Sequence, residues 1–374
     1  MEVSICPLKA HQGSGYIIIS FCPKPRSDQR APPAPCHTSL SKASGRRSPR
    51  DPIPFGRDGR RSPLCRPEAL TKALLRRDVV RALMMRCTLH LMSGTDYLKL
   101  RATIQPVLDR AIDSNVRERA KALDMEQLLG RARQYLDEEP CTLNELRTWL
   151  RKRFPKCDER AIGYAVRTHL PLVQVPSEAR WGYRAPADFA VAESWLGRRV
   201  SIKDARETLV FRYLAAFGPA TVSDAQTWSG LTGLRPAFDT LGTKLRIFRD
   251  ECGRKLFDLP QAARPNGDVI APTRFLPDYD NLILSHSDRT RFLAPEHRSL
   301  VFMRNMQILP TFLVDGFVAG TWRVEQTTAG ASLVLAPFRK LTQRAWADLE
   351  REGKDLLRFI ASEARAILVK RTAT

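Results

Sequence analysis

The chain has 374 residues and a formal charge of +21, with 43% hydrophobic and 27% charged residues. That length supports about two to three domains, and that composition excludes wholesale disorder, a collagen and a coiled coil. No apolar run approaches the ~18 residues of a membrane span, so the excess charge points to a polyanionic partner, nucleic acid before a membrane surface.

The charge is uneven. Residues 1–66 hold 12 Lys and Arg against 4 Asp and Glu, 10 of the 26 prolines and 4 of the 8 cysteines. Apart from a short apolar patch, Tyr16–Phe21, this stretch lacks periodicity, and it cannot repay its ordering entropy. The expectation is a disordered basic arm, with phosphate contact as its functional reading. A third reading is that the segment is out of frame, since Arg-, Pro- and Ser-rich text is what a GC-rich gene yields in the wrong frame.

From Pro67 the pattern is regular. PEALTKALLRRDVVRAL has helical spacing and runs into LMMRCTLHLM, which alternates. Met85, Cys87, Leu89 and Leu91 fall on one face of the expected strand and Arg86, Thr88 and His90 on the other. A buried histidine alone is ordinarily a satisfied core residue; three polar residues in a row make a site an equal alternative. Asp96–Ile112 is expected to be helical, and one long helix is expected within Val116–Leu136.

Thr142 with Glu145 three residues on is a capping-box pattern opening LNELRTWLRKRF. Pro155 ends that helix, and Asp158 caps the next, ERAIGYAVRTHL. LPLVQV is a β run, and SEARWGYR a turn with a returning strand. Three helices, strand, wing and strand is the order of a winged helix. Its third helix would be the groove reader, presenting Glu159, Arg160, Tyr164, Arg167 and Thr168. The order recurs. A helix closes at Gly218, a second starts at Thr221 or Ser223 and ends at Gly230, and a third is LTGLRPAFDTLG. A hairpin then turns at Glu251–Arg254.

Beyond a linker-like stretch the chain turns strand-rich: RFLPDYDNLILSH, QILPTFLVDGFVAGTWRVEQ and ASLVLAPF, with Asp315-Gly316 as a tight hairpin signal. A final helix is expected from Thr342 to about Val369, closing a small barrel or curled sheet. The expected class is therefore α+β: tandem winged-helix units, a β-rich C-terminal region and a disordered N-terminal arm. The expected divisions are a 1–66 arm, a 67–122 remnant of a first winged helix, winged helices at 123–198 and 199–262, and a β-rich region at 270–374. The alternative is an α+β domain that uses these elements only for packing.

P-loop, dinucleotide and nucleophile-elbow motifs are absent, and the six histidines form no HxxxH pair. No CxxC occurs; the four cysteines after residue 66 read as buried small hydrophobes in a reducing cytoplasm. No metal or cofactor is expected. The segment DNLILSHSDRTR, with Trp322 and Arg323, is dense in groups that contact phosphates or base edges.

Four segments carry a resemblance: RDVVRALMMRCTLHLMSGTDY, RFLPDYDNLILSHSDR, TFLVDGFVAGTWRVE and LEREGKDLLRFIA. In order and spacing they resemble the winged-helix DNA-binding family that includes AlkZ-type DNA glycosylases, from about Arg66 to Ile360. The resemblance implies a C-shaped molecule of tandem winged helices with a β-rich C-terminal region. Some members hydrolyse the N-glycosidic bond of alkylated purines and unhook interstrand crosslinks; most have no established activity. The family signature is Gln-x-Gln or Gln-x-Asp upstream of a Thr-x-His strand, where it positions water and stabilises an oxocarbenium sugar. Here Thr88 and His90 match the strand. The signature is missing, for Gln12, Gln29, Gln105 and Gln127 are isolated. Shifted by one base, Asp51–Arg57 permits codons for Pro-Tyr-Thr-Leu-Trp-Ala, and Arg46–Ser48 permits Gln-Ala-Gln. The nucleotide sequence decides this: stop codons in the other frame through residues 20–65 end the idea.

The expected function is a winged-helix DNA-binding protein related to alkylpurine and crosslink glycosylases, without the catalytic motif. The alternatives are an active base-excision glycosylase and a non-enzymatic transcription regulator. The expected partner is double-stranded DNA, alkylated or crosslinked, bound by a monomer in the cytoplasm at the nucleoid. Lesion-proximal and DNA-binding candidates are Arg86, Thr88, His90, Arg160, Arg167, Asn281, His286, Arg289, Trp322 and Arg323. His90→Ala is expected to weaken function more than stability; a large fall in melting temperature with unchanged DNA binding would return His90 to the core.

Overall fold

The computed structural model describes residues 67–372 except 180, 181, 184, 263–270, 305, 328 and 329. The basic arm, the Tyr16–Phe21 strand and the out-of-frame segment lie outside the described residues.

The chain opens with α1 (Pro67–Leu75), β1 (Val79–Leu83) and β2 (Leu89–Ser93). The single strand expected through LMMRCTLHLM is instead half of a hairpin. Arg86 and Cys87 have φ of 55° and 56°, so the backbone reverses at Met85–Cys87 before β2 begins. Side-chain alternation does not carry through such a reversal, and His90 and Met92 become the buried positions of β2. Next come α2 (Gly94–Ala120), which kinks at Val116, and α3 (Met125–Glu138). The long helix expected within 116–136 is α3, which starts where Asp124 caps it, accepting from the Gln127 amide at 3.0 Å.

β3 (Cys141–Thr142), α4 (Leu143–Arg153), α5 (Glu159–His169), β4 (Leu172–Gln174) and β5 (Asp188–Val191) follow. Glu145 receives the Thr142 amide at 2.8 Å and returns its own amide to Thr142 Oγ1 at 3.2 Å, the reciprocal box the sequence predicts. Thr142→Ala is expected to lower the unfolding free energy by about 1 kcal/mol, checked by urea denaturation; an unchanged midpoint would contradict the cap's role. Asp158 caps α5 as expected. The returning strand is β5, later than SEARWGYR.

One antiparallel sheet of order β2-β1-β4-β5-β3 joins the opening hairpin to this unit, with Ala82 paired to Val173. Its Val80, Ala82 and Val173 pack with the inner faces of α2 and the next helices in one core. Leu172 and Val191 join α3, α4 and α5 in a second core.

After α6 (Ala192–Leu196) come α7 (Arg206–Phe217), α8 (Val222–Ser229), α9 (Arg235–Leu241) and the hairpin β6 (Arg246–Arg249) with β7 (Lys255–Asp258). Thr221, rather than Ser223, caps α8, again reciprocally, with Asp224. Gly218 closes α7 without the left-handed conformation of a glycine cap, at φ −67°. Cys252, expected buried, is exposed at the β6–β7 turn.

The C-terminal region contains β8 (Arg274–Leu276), α10 (Asn281–Leu284), α11 (Arg298–Val301), β9 (Thr311–Val314), β10 (Phe317–Gln326), β11 (Ala331–Pro337), α12 (Gln343–Ile360) and β12 (Ile367–Arg371). The Asp315-Gly316 turn has both φ values positive, as a two-residue hairpin requires. RFLPDYDNLILSH is not one β run: Asp280 caps the short helix α10. The last helix stops at Ile360, and the chain returns as β12, parallel to β11. The region is thus an open sheet, β12-β11-β10-β9-β8, rather than a barrel.

Gly320 lies where β10 passes closest to its neighbours; a Cβ there would sit within 2.5 Å of the Ala336 carbonyl oxygen and of Phe312 Cε1. Gly320→Ala is expected to cost about 1–3 kcal/mol as the sheet is forced apart. Chemical denaturation checks this, and wild-type stability would show that the sheet yields freely.

Candidate functional site

The opening hairpin presents its turn to the rest of the chain. Thr88 is exposed, Arg86 and Cys87 are half-buried, and His90 lies beneath them at 3% exposure. The turn is held by short-range hydrogen bonds. Thr88 Oγ1 donates to the Met85 carbonyl at 3.0 Å. His90 Nε2 is 3.1 Å from that carbonyl and 3.0 Å from Thr88 Oγ1. The carbonyl can only accept, so Nε2 carries the proton. Burial first, and the Arg86 charge second, hold the His90 pKa down to about 3. The imidazole is therefore neutral at physiological pH and serves as a donor that fixes the turn, not as a cation or a general acid.

Arg86 reaches away from its own strand. It donates to the Trp228 carbonyl near the end of α8 and, at 3.2 Å, to Asn281 Oδ1 on the first residue of α10. Three segments far apart in sequence thus meet at one guanidinium. Among the described residues it has no carboxylate partner, and burial lowers its pKa to about 10. Gly230 follows Trp228 by two residues at φ +79°, and a Cβ there would meet Val107 Cγ1 at 3.0 Å and the Arg86 backbone at 3.4 Å. A glycine is needed both for that cap and for that approach.

α5 supplies the other predicted cations. Arg160 is exposed near the Tyr164 ring, and Arg167 stacks on the same ring at 4.5 Å. Burial raises the pKa of the Cys87 thiol, and the charges of Arg167 and Arg101 partly oppose that rise. Arg101 on α2 is 4% exposed; it donates to Gln105 Oε1 and to the Thr168 carbonyl, each at 2.6 Å. Arg110, nine residues on and so on the opposite side of α2, donates to the Gly230 carbonyl. Arg101 and Arg110 were not among the residues expected from the sequence. Arg101 carried a signal, a polar stripe of Arg101, Gln105 and Asp109 at four-residue spacing; Arg110 lies off that stripe.

The remaining candidates lie apart from this turn. Trp322 is a core residue: buried, with its indole N–H 2.9 Å from both the Leu276 and Thr311 carbonyls, it pins β10 to its neighbours and offers DNA no surface. His286 is likewise buried, its Nδ1 2.6 Å from Ser285 Oγ and its ring among Tyr213, Phe217 and Phe292. That serine donates to the Leu282 carbonyl at 2.7 Å, so the pair is a packing contact, not an activated nucleophile. Arg289 is half-buried, bonded to the Ile283 carbonyl at 3.0 Å and stacked over Phe302. Arg323 is exposed and paired with Glu325 at 2.8 Å.

Of the ten candidates the structure therefore gathers Arg86, Thr88, His90 and Asn281, while Arg160 and Arg167 stand together on α5 beside Tyr164. Among the described residues no group of three or more His, Cys, Asp or Glu could hold a metal ion, and no helix is long and apolar enough to cross a membrane.

A family model described as DNA glycosylase AlkZ-like matches residues 59–359. An interstrand DNA cross-link repair glycosylase of Streptomyces sahachiroi is 30% identical over 170 residues, 43% of this chain and 44% of that protein, so the matched stretch spans less than half of that relative. The solved structure of the Streptomyces sahachiroi DNA glycosylase AlkZ is similar over 82% of this chain and 85% of its own, with a TM-score of 0.63 and 26% identity. With the family match covering most of its length, the chain belongs to the AlkZ-like DNA glycosylase family.

Proposed function

We propose that this chain binds duplex DNA, alkylated or crosslinked, and does so without cleaving the glycosidic bond. Residues 123–198 and 199–262 act as winged helices, with 67–122 as the remnant of a first unit and 270–374 as a supporting β-rich region. α5 enters a groove with Arg160 and Arg167, and the Arg86–Thr88 turn faces the lesion over a fixed, neutral His90. The protein works as a monomer at the nucleoid in the cytoplasm.

One observation carries this reading: among the described residues Arg86 is a half-buried cation bonded only to neutral acceptors, at a turn of a chain that belongs to a family of DNA glycosylases. A cation without a counter-charge suits a polyanion. The absence of the Gln-x-Gln pair argues against water activation of the kind the family uses, and His90, held neutral, does not replace it.

The test is fluorescence anisotropy with the full chain and a duplex carrying an alkylpurine or a crosslink. Binding should weaken with salt along a straight log–log line whose slope counts the phosphates contacted. Failure to bind duplex at low salt contradicts the proposal, and so does conversion of the lesion to an abasic site.

A further inference from the structure

One face of α5 stays open. Arg160, Gly163, Tyr164 and Arg167 stand on it at i, i+3, i+4 and i+7, while Ala161, Ile162, Ala165 and Val166 are buried in the core shared with α3 and α4. The Tyr164 ring packs against the edge of that core, and two guanidiniums lie over it, Arg167 at 4.5 Å and Arg160 at 5.9 Å from its centroid. Neither arginine has a carboxylate partner among the described residues. The one acid of the helix, Glu159, is taken by Arg147 at 2.9 Å and Arg151 at 3.0 Å, both from α4. The Tyr164 carbonyl accepts from Thr168 Oγ1 at 2.7 Å, and among the described residues its hydroxyl makes no hydrogen bond.

Gly163 sits in the middle of this face. A glycine inside a helix costs stability relative to alanine, so a fold keeps one where the backbone conformation or a close neighbour forbids a side chain. Neither applies here. The backbone at Gly163 is helical, without the positive φ that favours glycine. A Cβ there would meet only Arg147 Cδ, at 3.5 Å, an ordinary van der Waals contact with a flexible side chain. Gly353 on α12 is the opposite case, since a Cβ there would meet Leu333 Cδ2 at 2.8 Å. The bare patch at Gly163 is therefore not required by the chain's own packing, and it lies between two cations that lack counter-charges and beside a hydroxyl free to donate and accept. Cations suit phosphates, a tyrosine hydroxyl suits a base edge, and a helix without a side chain at its centre can seat deeply in a groove.

We infer that Gly163 is the point at which α5 comes closest to duplex DNA, and that Tyr164 contacts a base edge there while Arg160 and Arg167 hold phosphates. The missing methyl lets the helix backbone settle far enough into the groove for the Tyr164 hydroxyl to reach a base, and the two guanidiniums fix the ring over which they lie. This role rests on the DNA-binding reading and deepens it, dividing α5 into one base contact, two phosphate contacts and a bare patch among them.

The experiment uses the full chain and the lesion-bearing duplex, with thermal melts and anisotropy on the same preparations of wild type, Gly163→Ala, Tyr164→Phe, Arg160→Gln and a control, Gly130→Ala. Gly130 is an exposed glycine within α3 with nothing within 4 Å of a Cβ and with Glu126 one turn before it. Both alanine variants should raise the melting midpoint, by about 1–3 °C. Gly163→Ala should nevertheless bind about five-fold or more weakly, because the added methyl holds the helix off the groove, whereas Gly130→Ala should bind like wild type. Arg160→Gln should lower the salt slope by about 1. Across duplexes varied one base pair at a time, wild type should prefer one pair at one position by roughly three- to ten-fold, and Tyr164→Phe should lose that preference there alone. If wild type binds duplex and Gly163→Ala binds as well, or loses no more than Gly130→Ala, the close approach is refuted while DNA binding stands. A lower melting midpoint for Gly163→Ala would refute it too, by showing that packing keeps the glycine. A preference that survives in Tyr164→Phe, or none in wild type, would remove the base contact. If wild type does not bind duplex, the broader reading has failed instead.

Discussion

Arg86→Met is expected to weaken duplex binding by about ten-fold or more while changing the unfolding free energy by less than about 2 kcal/mol. Opposing free-energy contributions meet at this side chain. The two hydrogen bonds from Arg86, to the Trp228 carbonyl and Asn281 Oδ1, are worth roughly 1.5–3 kcal/mol each because the donor is charged. Against them stands the cost of desolvating a cation with no counter-charge. Its pKa falls from 12.5 to about 10, which corresponds to roughly 3 kcal/mol against the charged form. Methionine removes both, leaving two acceptors short of a donor, at roughly 1–3 kcal/mol each, and recovering the desolvation cost. The terms nearly cancel for stability. They do not cancel for a phosphate, which loses its cation outright. Urea denaturation and anisotropy on the same preparations check this. A loss of 4 kcal/mol or more with unchanged DNA affinity would make Arg86 a structural clamp between hairpin, α8 and α10.

The second large effect is on pH. His90 has a folded-state pKa of about 3, well below the 6.5 of the free side chain, because burial and the Arg86 charge penalise the imidazolium. The unfolded chain therefore binds a proton that the folded chain refuses. Its stabilising contribution is fully present above about pH 6.5 and is lost as the pH falls towards 3, by about 1.4 kcal/mol per unit within that window. His90→Asn removes the titration while keeping a donor for the Met85 carbonyl. The difference in unfolding free energy between wild type and this variant should narrow steadily from pH 7 to pH 4. A constant difference across that range would show that folded His90 takes up its proton as readily as the unfolded side chain, and the permanently neutral donor assigned to the turn would be wrong.

What the sequence made legible was local chemistry. The Thr142–Glu145 and Thr221–Asp224 boxes, the Asp158 cap and the Asp315-Gly316 hairpin each depend on residues within four positions of one another. The segments misread depend on distant partners. Two left-handed non-glycine residues at Arg86–Cys87 leave no trace in residue type, so an alternating pattern passed for one strand where the chain turns back. β12 has only five residues and exists because β11 offers it an edge. In the candidate site, Arg86, Thr88 and His90 stood out as polar residues on an apolar segment, and Asn281 within a polar-rich one. Arg101 and Arg110 did not, because what distinguishes them is a carbonyl on another helix or loop, at Thr168 and Gly230. Trp322 and His286 misled for the complementary reason. Side chains able to contact DNA are equally able to fill a core and hydrogen-bond within it.

The most direct measurement is of lesion-containing duplex incubated with an excess of the full chain, with bound fraction and abasic sites scored in the same reaction. Binding is expected to be saturable and salt-sensitive, with abasic sites no more frequent than in duplex alone. Abasic sites accumulating with protein concentration would contradict it and place a functioning glycosylase centre in this chain.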